Sequence, residues 1–206
     1  MLEKLPDTPE LEFAENNHIY KIDGIEIPSV SEIMKPLSAD FYNGIREETI
    51  AFAANRGSGV HQAIENFLIF GIADIEPESQ GYFDAFIKWY EKTQPTLVST
   101  EKQIYHKIFR YGGTADFICY VGDCLTLVDF KTTATLNKML VGVQLEAYKQ
   151  AFATHGIKFE RKIVLQLKKD GKYREETLPI DDTEAWGCFA ALRTINIYKT
   201  KFGRKK

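Results

Sequence analysis

Residues 113–133 read Gly113-Thr-Ala-Asp116-Phe-Ile-Cys-Tyr-Val-Gly122-Asp123-Cys-Leu-Thr-Leu-Val-Asp129-Phe-Lys131-Thr-Thr133. Two runs rich in apolar and β-branched residues flank Gly122-Asp123, which is the pattern of a β-hairpin with a two-residue turn. Glycine in the first central position suits a type II′ turn. This stretch therefore predicts two antiparallel strands, at about 114–121 and 124–132.

The predicted turn also sets the register of the hairpin. Val121 pairs with Cys124, so the numbers of paired residues sum to 245, and Asp116 is predicted to lie directly opposite Asp129. Opposed side chains share a face and have Cβ atoms roughly 4.5–5.5 Å apart. The two-residue period of a strand places Lys131 on the same face as Asp129.

Two carboxylates and an ammonium at one place indicate a metal site. Neighbouring carboxylates repel, so one takes up a proton unless a cation lies between them. Mg²⁺ is typically bound by one or two carboxylates together with substrate phosphate oxygens. Lys131 beside such an ion would orient or deprotonate the attacking water, or neutralise charge on a phosphate.

Two predicted helices add polar residues on apolar stripes. Residues 46–70 show helical periodicity with His61 on the apolar stripe, where a polar group needs a partner. Residues 137–155 form a second helix, with Gln144 and Tyr148 one turn apart on its inward stripe.

The remaining elements complete a mixed α/β domain with helices around a central sheet. Asp23-Gly24 predicts a hairpin at 18–28, and Ser29 predicts the start of a short helix that ends near Pro36. The other expected elements are a helix at 78–92, a strand at 98–109, strands at 160–168 and 173–178, and a helix at 181–199. A single domain is expected over 1–206, with an acidic segment at 1–17 and a basic tail at 200–206.

Composition restricts the class of protein. Of the 206 residues, 44% are hydrophobic and 27% are charged, as in a soluble globular protein. No apolar run approaches the roughly 20 residues that span a bilayer, so no membrane association is expected. Three cysteines without a Cys/His cluster favour a reduced, cytoplasmic protein (bacterial or in a phage-infected host) without a zinc site.

The charge is unevenly distributed. Residues 1–96 carry a net charge of −10 and residues 97–206 a net charge of +7. Such a division favours a polyanion-binding face in the second half. The candidate phosphate contacts are Lys168, Lys169, Lys172 and Arg174, which a solvated strand and turn would explain equally well.

The motifs together resemble a known family. Asp116 followed by Asp129-Phe130-Lys131 is similar to the D…(D/E)xK signature of the PD-(D/E)XK nuclease superfamily. Arg56-Gly-Ser-Gly-Val-His61 and Gln144-Leu-Glu-Ala-Tyr148 resemble the flanking motifs of its RecB-like exonuclease branch. The resemblance runs from about residue 28 to 148 in the order of the family.

The resemblance implies a restriction-endonuclease-like fold and a role for each matching residue. Lys131 would be the catalytic lysine, and Arg56 would contact substrate. Gln144 and Tyr148 would support the site and contact substrate. The implied metal ligands, for Mg²⁺ or Mn²⁺, are His61, Asp116, Asp129, the Phe130 carbonyl and, on a weaker match, Glu101.

The sequence also departs from the family. Ala115 replaces the proline of the family motif before Asp116. No helicase module is present, so unwinding would come from a helicase partner or from the ends of the substrate. A single-strand-binding or annealing protein is another candidate partner. Three cysteines do not match the four that hold an iron–sulfur cluster in some members, so no cluster is expected.

The expected function is a metal-dependent DNA exonuclease that acts in recombination, repair or phage DNA processing. Three alternatives stay open: a catalytically silent nucleic-acid-binding module of the same fold, an endonuclease or resolvase, and a metal-free hydrolase. A retaining glycosidase, with carboxyl groups about 5–5.5 Å apart, is an example of the last. Strand polarity, strand preference, oligomeric state and the choice of one or two metal ions are also open.

Overall fold

The structure is a computed structural model that describes residues 5–202, so the ends of the expected acidic segment and basic tail lie outside it. In this part of the chain it contains five α-helices, two short 3-10 helices and eight strands. The helices are α1 (Val30–Tyr42), α2 (Glu47–Phe70), α3 (Gln80–Thr93), α4 (Lys138–Ala153) and α5 (Thr183–Phe202). The strands are β1 (Leu11–Ala14), β2 (Ile19–Ile22), β3 (Ile25–Ile27), β4 (Thr96–Tyr105), β5 (Gly112–Val121), β6 (Cys124–Lys131), β7 (Arg161–Leu167) and β8 (Tyr173–Leu178).

The predicted mixed sheet with flanking helices is confirmed. Five strands form it in the order β4-β5-β6-β7-β8, with β6 and β7 parallel and the other neighbours antiparallel. One apolar core lies between the sheet and α1, α4 and α5, and a second lies between the other face and α2 and α3. This is the architecture expected of a restriction-endonuclease-like fold.

The register of the β5–β6 hairpin is as predicted near its turn. Pairing runs from Val121↔Cys124 to Phe117↔Val128. Gly122 has a φ of +62°, as the first central residue of a type II′ turn requires.

Helix α1 does not end near Pro36 as the sequence predicts, but continues to Tyr42. Proline has no N–H to donate to the carbonyl four residues earlier, that of Glu32. Both residues are exposed, so water can satisfy this carbonyl and the helix continues. Its start is as predicted, because the Ser29 hydroxyl accepts a hydrogen bond of 3.0 Å from the Glu32 N–H.

A separate antiparallel sheet of β1, β2 and β3 packs beside the start of β5. Its β2–β3 turn at Asp23-Gly24 is as predicted, whereas β1 was not expected. The Tyr20 ring lies so close to Gly112 that a Cβ there would be 2.6 Å from the ring. Glycine at 112 therefore permits this contact. No helix within residues 5–202 is long and apolar enough to cross a membrane.

Candidate active site

The central sheet opens at the level of Asp116. The β4–β5 ladder passes from Thr100↔Phe117 to Lys102↔Ala115, and the step between them is not paired. Glu101 occupies this step with a φ of +44°, a strained backbone conformation for a residue with a side chain. Such strain is concentrated at functional sites.

The β5–β6 ladder also stops here, because its last pair is Phe117↔Val128. The predicted ladder pair of Asp116 with Asp129 is therefore wrong. From this point β6 pairs only with β7, as far as Lys131. The physical reason is that side chains, described next, take the hydrogen bonds that the ladder would have made.

Site side chains satisfy the backbone groups that the opening exposes. The Thr100 hydroxyl donates to the Asp116 carbonyl at 3.0 Å, and the Phe130 N–H donates to Asp116 Oδ2 at 2.8 Å. His61 Nε2 lies 3.1 Å from the Phe130 carbonyl oxygen. These bonds fix the Asp116 carboxylate and the His61 ring.

His61, Glu101 and Asp116 form a cluster with the composition of a metal site. One potential ligand atom from each lies within 4.8 Å of the others. His61 Nδ1 is 3.8 Å from Glu101 Oε1 and 3.7 Å from Asp116 Oδ2. Burial opposes charge on His61, but the Asp116 and Glu101 carboxylates outweigh it and raise the His61 pKa to about 9. The protonated ring thus supplies the positive charge that this cluster requires without an ion.

A chain of polar contacts runs beside this cluster. Lys131 Nζ lies 2.7 Å from Asp129 Oδ2 and donates to Asp129 Oδ1 at 3.0 Å. It also donates to Gln144 Oε1 at 3.0 Å, and Gln144 Nε2 donates to the Tyr148 hydroxyl at 3.1 Å. Gly113 makes room for Tyr148, because a Cβ at 113 would lie 2.4 Å from the ring.

The charges of these groups follow from burial and proximity. Burial raises the pKa of Asp129 to about 6, although Lys131 beside it acts in the opposite direction. Burial raises the pKa of Asp116 as well. For Lys131, burial opposes the charged form, but the Asp129 and Asp116 carboxylates dominate and raise its pKa above the usual value. Lys131 therefore carries a positive charge at neutral pH.

The cluster fits a divalent cation. Within residues 5–202, Asp129 Oδ2 is buried without a hydrogen-bond partner, since the close Lys131 ammonium is not aligned for one. His61 turns one ring nitrogen to a backbone carbonyl and the other to carboxylates, which is how ligating histidines are oriented. Carboxylates suit Mg²⁺ and Mn²⁺. The carbonyl oxygen of Phe130, which is also a predicted ligand, lies beside the cluster because it contacts His61 Nε2.

The cluster lies in a cleft of about 910 Å³ between the central sheet, α2, α4 and the N-terminal sheet. Ser31 and Gln144 line this cleft and also an adjoining pocket of about 300 Å³ against Lys131. The cleft with the metal-type cluster and the pocket with the lysine thus share two lining residues.

The structure does not bring Arg56 into this cleft. Its guanidinium donates to the Thr132 carbonyl at 3.1 Å and lies over the Tyr82 ring at 5.0 Å. It lines a different pocket of about 430 Å³, together with Lys169. A role in substrate binding at that pocket stays a prediction.

The basic candidates of the second half lie at the β7–β8 end of the sheet. Lys168 and Lys169 directly follow β7, whose Gln166 pairs with Lys131. Lys172 is paired with Asp170 at 2.8 Å, and Arg174 is paired with Glu176 at 2.9 Å. Their contact with phosphate stays a prediction.

Several cleft residues have no sequence signal. Phe13 and His18 reach the cleft through the packing of the N-terminal sheet, and Thr114 lines it from β5. Thr100 does not line the cleft, but acts on Asp116 through a hydrogen bond across an interrupted ladder. Glu101, a weaker expectation, is a full member of the cluster.

No protein-family model and no curated protein matches the sequence. Among solved structures, the chain is similar to an alkaline exonuclease from Laribacter hongkongensis, with 16% sequence identity. The match covers 70% of this chain and 82% of that chain, with a TM-score of 0.36. A similarity this distant supports no argument about chemistry, which depends on the geometry of the site.

Proposed function

We propose that this protein is a divalent-metal-dependent deoxyribonuclease of the PD-(D/E)XK superfamily. The observation that carries the proposal is the cluster of His61, Glu101 and Asp116 next to the Lys131 ammonium, at the point where the central sheet opens. The order of the sequence motifs supports the same assignment.

The ion would be held by His61, Glu101 and Asp116, with Asp129 and the Phe130 carbonyl at the border of the site. When bound, Mg²⁺ or Mn²⁺ would activate water and polarise a phosphodiester oxygen. Whether one or two ions act is a matter for titration.

The protein's own contribution is charge and position. The Lys131 ammonium, charged at neutral pH, would stabilise negative charge that develops on the phosphate. Its raised pKa favours this role over that of a general base. Gln144 holds Lys131, and Tyr148 holds Gln144, so both act as positioning residues.

We further infer an exonuclease of the RecB-like type that acts on DNA in recombination, repair or phage DNA processing. The resemblance of the flanking motifs supports this branch, and the small number of cysteines suits a reducing cytoplasm. A helicase, an annealing protein or a single-strand-binding protein would be a suitable partner for such an enzyme.

A digestion series tests the proposal. Metal-free protein is incubated with 5′- and 3′-labelled single- and double-stranded DNA and with circular DNA, before and after addition of Mg²⁺ or Mn²⁺. We expect cleavage of the linear substrates only with metal, and its loss on chelation. Binding without cleavage under every metal condition would instead indicate the silent module. Cleavage of circular DNA would indicate an endonuclease, and cleavage in chelator would contradict the metal centre.

A further inference from the structure

Aromatic rings from the N-terminal sheet form part of the wall of the metal-type cleft. Phe13 stacks on Tyr20 with ring centroids 4.6 Å apart, and His18 meets Phe13 edge-on at 5.2 Å. Tyr20 is buried, Phe13 is half-buried and His18 is exposed. Phe13 and His18, which we call the aromatic edge, both line the cleft.

The aromatic edge is held at a fixed place relative to Asp116. Tyr20, which supports it, packs on Gly112, and its hydroxyl is hydrogen-bonded to Thr114 Oγ1 at 2.7 Å. Thr114 is two residues before Asp116 on β5, a rise of roughly 7 Å along a strand. Thr114 and Asp116 both line the cleft, so the rings and the candidate metal cluster share one cleft.

The charge of the cleft restricts what can bind there. Among the described residues that line it, four are carboxylates and none is lysine or arginine. Apart from the histidines, the side chains that line this cleft include no positively charged group that could pair with a DNA phosphate. In this cleft, affinity for a nucleotide must then come from the bound metal and from ring surfaces, while the Lys131 ammonium acts from the adjoining pocket. The carboxylates are Glu15, Glu65, Glu101 and Asp116.

We propose that the aromatic edge stacks on an unpaired nucleobase of the strand whose phosphate lies at the metal cluster, so that DNA enters this cleft as a single strand. The inference rests on the proposed nuclease function and names its substrate class. A base inside a duplex has both faces covered by neighbouring bases, whereas an unpaired base offers a free face. Such stacking tolerates any sequence, because every base has a π-face.

Fluorescence of 2-aminopurine tests this inference independently of cleavage. Single-stranded oligonucleotides with the analogue at the end, and duplexes with it in the interior, are titrated with wild-type protein. Ca²⁺ replaces Mg²⁺, and gel analysis confirms that the DNA stays intact. We expect binding to quench the fluorescence of the single strand and to leave that of the duplex interior unchanged.

Two substitutions remove the rings without disturbing the backbone. His18 has a φ of +55°, a conformation that asparagine tolerates, so His18→Asn keeps the turn. Phe13→Leu keeps apolar packing on Tyr20. The control is Tyr198→Leu, which removes a ring on α5 that is 66% exposed and outside the cleft. We expect both cleft variants to lose most of the quenching and to bind about five- to tenfold more weakly, with the control unchanged.

Unchanged quenching and affinity in both cleft variants would overturn the inference, as would a wild-type protein that does not quench the single strand. Failure of the proposed function has a different signature. In that case the wild type binds and quenches in a ring-dependent way but cuts no DNA with Mg²⁺ or Mn²⁺.

Discussion

Two lysine–carboxylate pairs contact helix α4, and they differ in how completely their polar atoms are satisfied. Lys162 on β7 is bonded to Glu146 on α4, and both side chains are 1% exposed. Glu146 also accepts hydrogen bonds from Gln150 at 2.8 Å and from Lys149 at 3.2 Å. This pair is closed to solvent, and neither Lys162 nor Glu146 has a buried side-chain polar atom without a partner.

The second pair, Lys131 with Asp129, is partly open to solvent. Lys131 is 23% exposed and faces the pocket that adjoins the metal-type cleft, and it reaches α4 through Gln144. Asp129 Oδ2 is buried without a hydrogen-bond partner in the described part of the chain. A pair closed to solvent is out of reach of a substrate, whereas a partly exposed, incompletely satisfied pair with shifted pKa values is typical of a reactive site. The two pairs should therefore respond oppositely to substitution.

Removal of one partner of the closed pair should produce the largest loss of stability. Lys162→Ala leaves the Glu146 charge buried without its closest partner, so the free energy of unfolding should fall by about 3–5 kcal/mol. Urea denaturation measures this loss. The control is the double variant Glu146→Leu with Lys162→Met, which removes both charges and should be close to the wild type in stability. A loss below about 1 kcal/mol for Lys162→Ala would contradict the proposed difference between the two pairs.

Substitution of the open pair should affect turnover more than stability. Lys131→Ala removes the charge proposed to act on the phosphate, so DNA cleavage should slow by about 10²–10³-fold, while Mn²⁺ binding persists or tightens. Single-turnover kinetics gives the rate of cleavage, and urea denaturation of the same variant gives the free energy of unfolding. Lys131→Arg keeps the charge, so activity restored by arginine would identify a purely electrostatic role. Near-normal cleavage by Lys131→Ala with Mg²⁺ would exclude Lys131 as a catalyst.

The β5–β6 hairpin shows what the sequence can and cannot predict. A two-residue turn fixes the register of the two strands that it joins, and the pairs as far as Phe117↔Val128 are as predicted. The opening one step later depends on Glu101 with its positive φ and on Thr100 and His61, which take over backbone hydrogen bonds. No local pattern encodes these contacts, because they join residues distant in the chain.

The chemistry of the site was more predictable than its geometry. Residue types and motif order identify His61, Asp116 and Lys131 as candidates, but they also predict a ladder pair of Asp116 with Asp129 that is absent, and they give Glu101 only a weaker match. Strand β1 was not expected, because four residues are too few to establish an alternation. The aromatic edge that includes Phe13 was missed with it.

A smaller effect, on the pH dependence of stability, should distinguish His61 from residues that only contribute to packing. Its pKa is raised from 6.5 to about 9, so the folded metal-free state holds a proton that the unfolded chain releases. This stability is fully present below pH 6.5 and is lost as the pH rises towards 9. We expect the melting temperature of the metal-free wild type to fall between pH 6.5 and 9 as His61 loses its proton. His61→Gln should lack this contribution to the fall.

A histidine must lose its extra proton to bind a metal, so the Mn²⁺ affinity of the wild type should rise over the same pH range. His61→Ala should also lower turnover far more than it lowers the melting temperature. Parallel losses of both, with the remaining folded fraction fully active, would mean that His61 has only a structural role.

Calorimetric titration of Mn²⁺ into the metal-free protein tests the metal centre most directly. Asp116→Asn keeps an acceptor for the Phe130 N–H but removes the charge, and Asp129→Ala removes the neighbouring carboxylate. Asp181→Asn, an exposed carboxylate outside the cleft, is the matched control. We predict that the wild type and the control bind Mn²⁺, that Asp116→Asn does not bind it at this site, and that Asp129→Ala, at the border of the site, binds it more weakly. Unchanged Mn²⁺ affinity in Asp116→Asn would contradict a metal centre at the opening of the sheet.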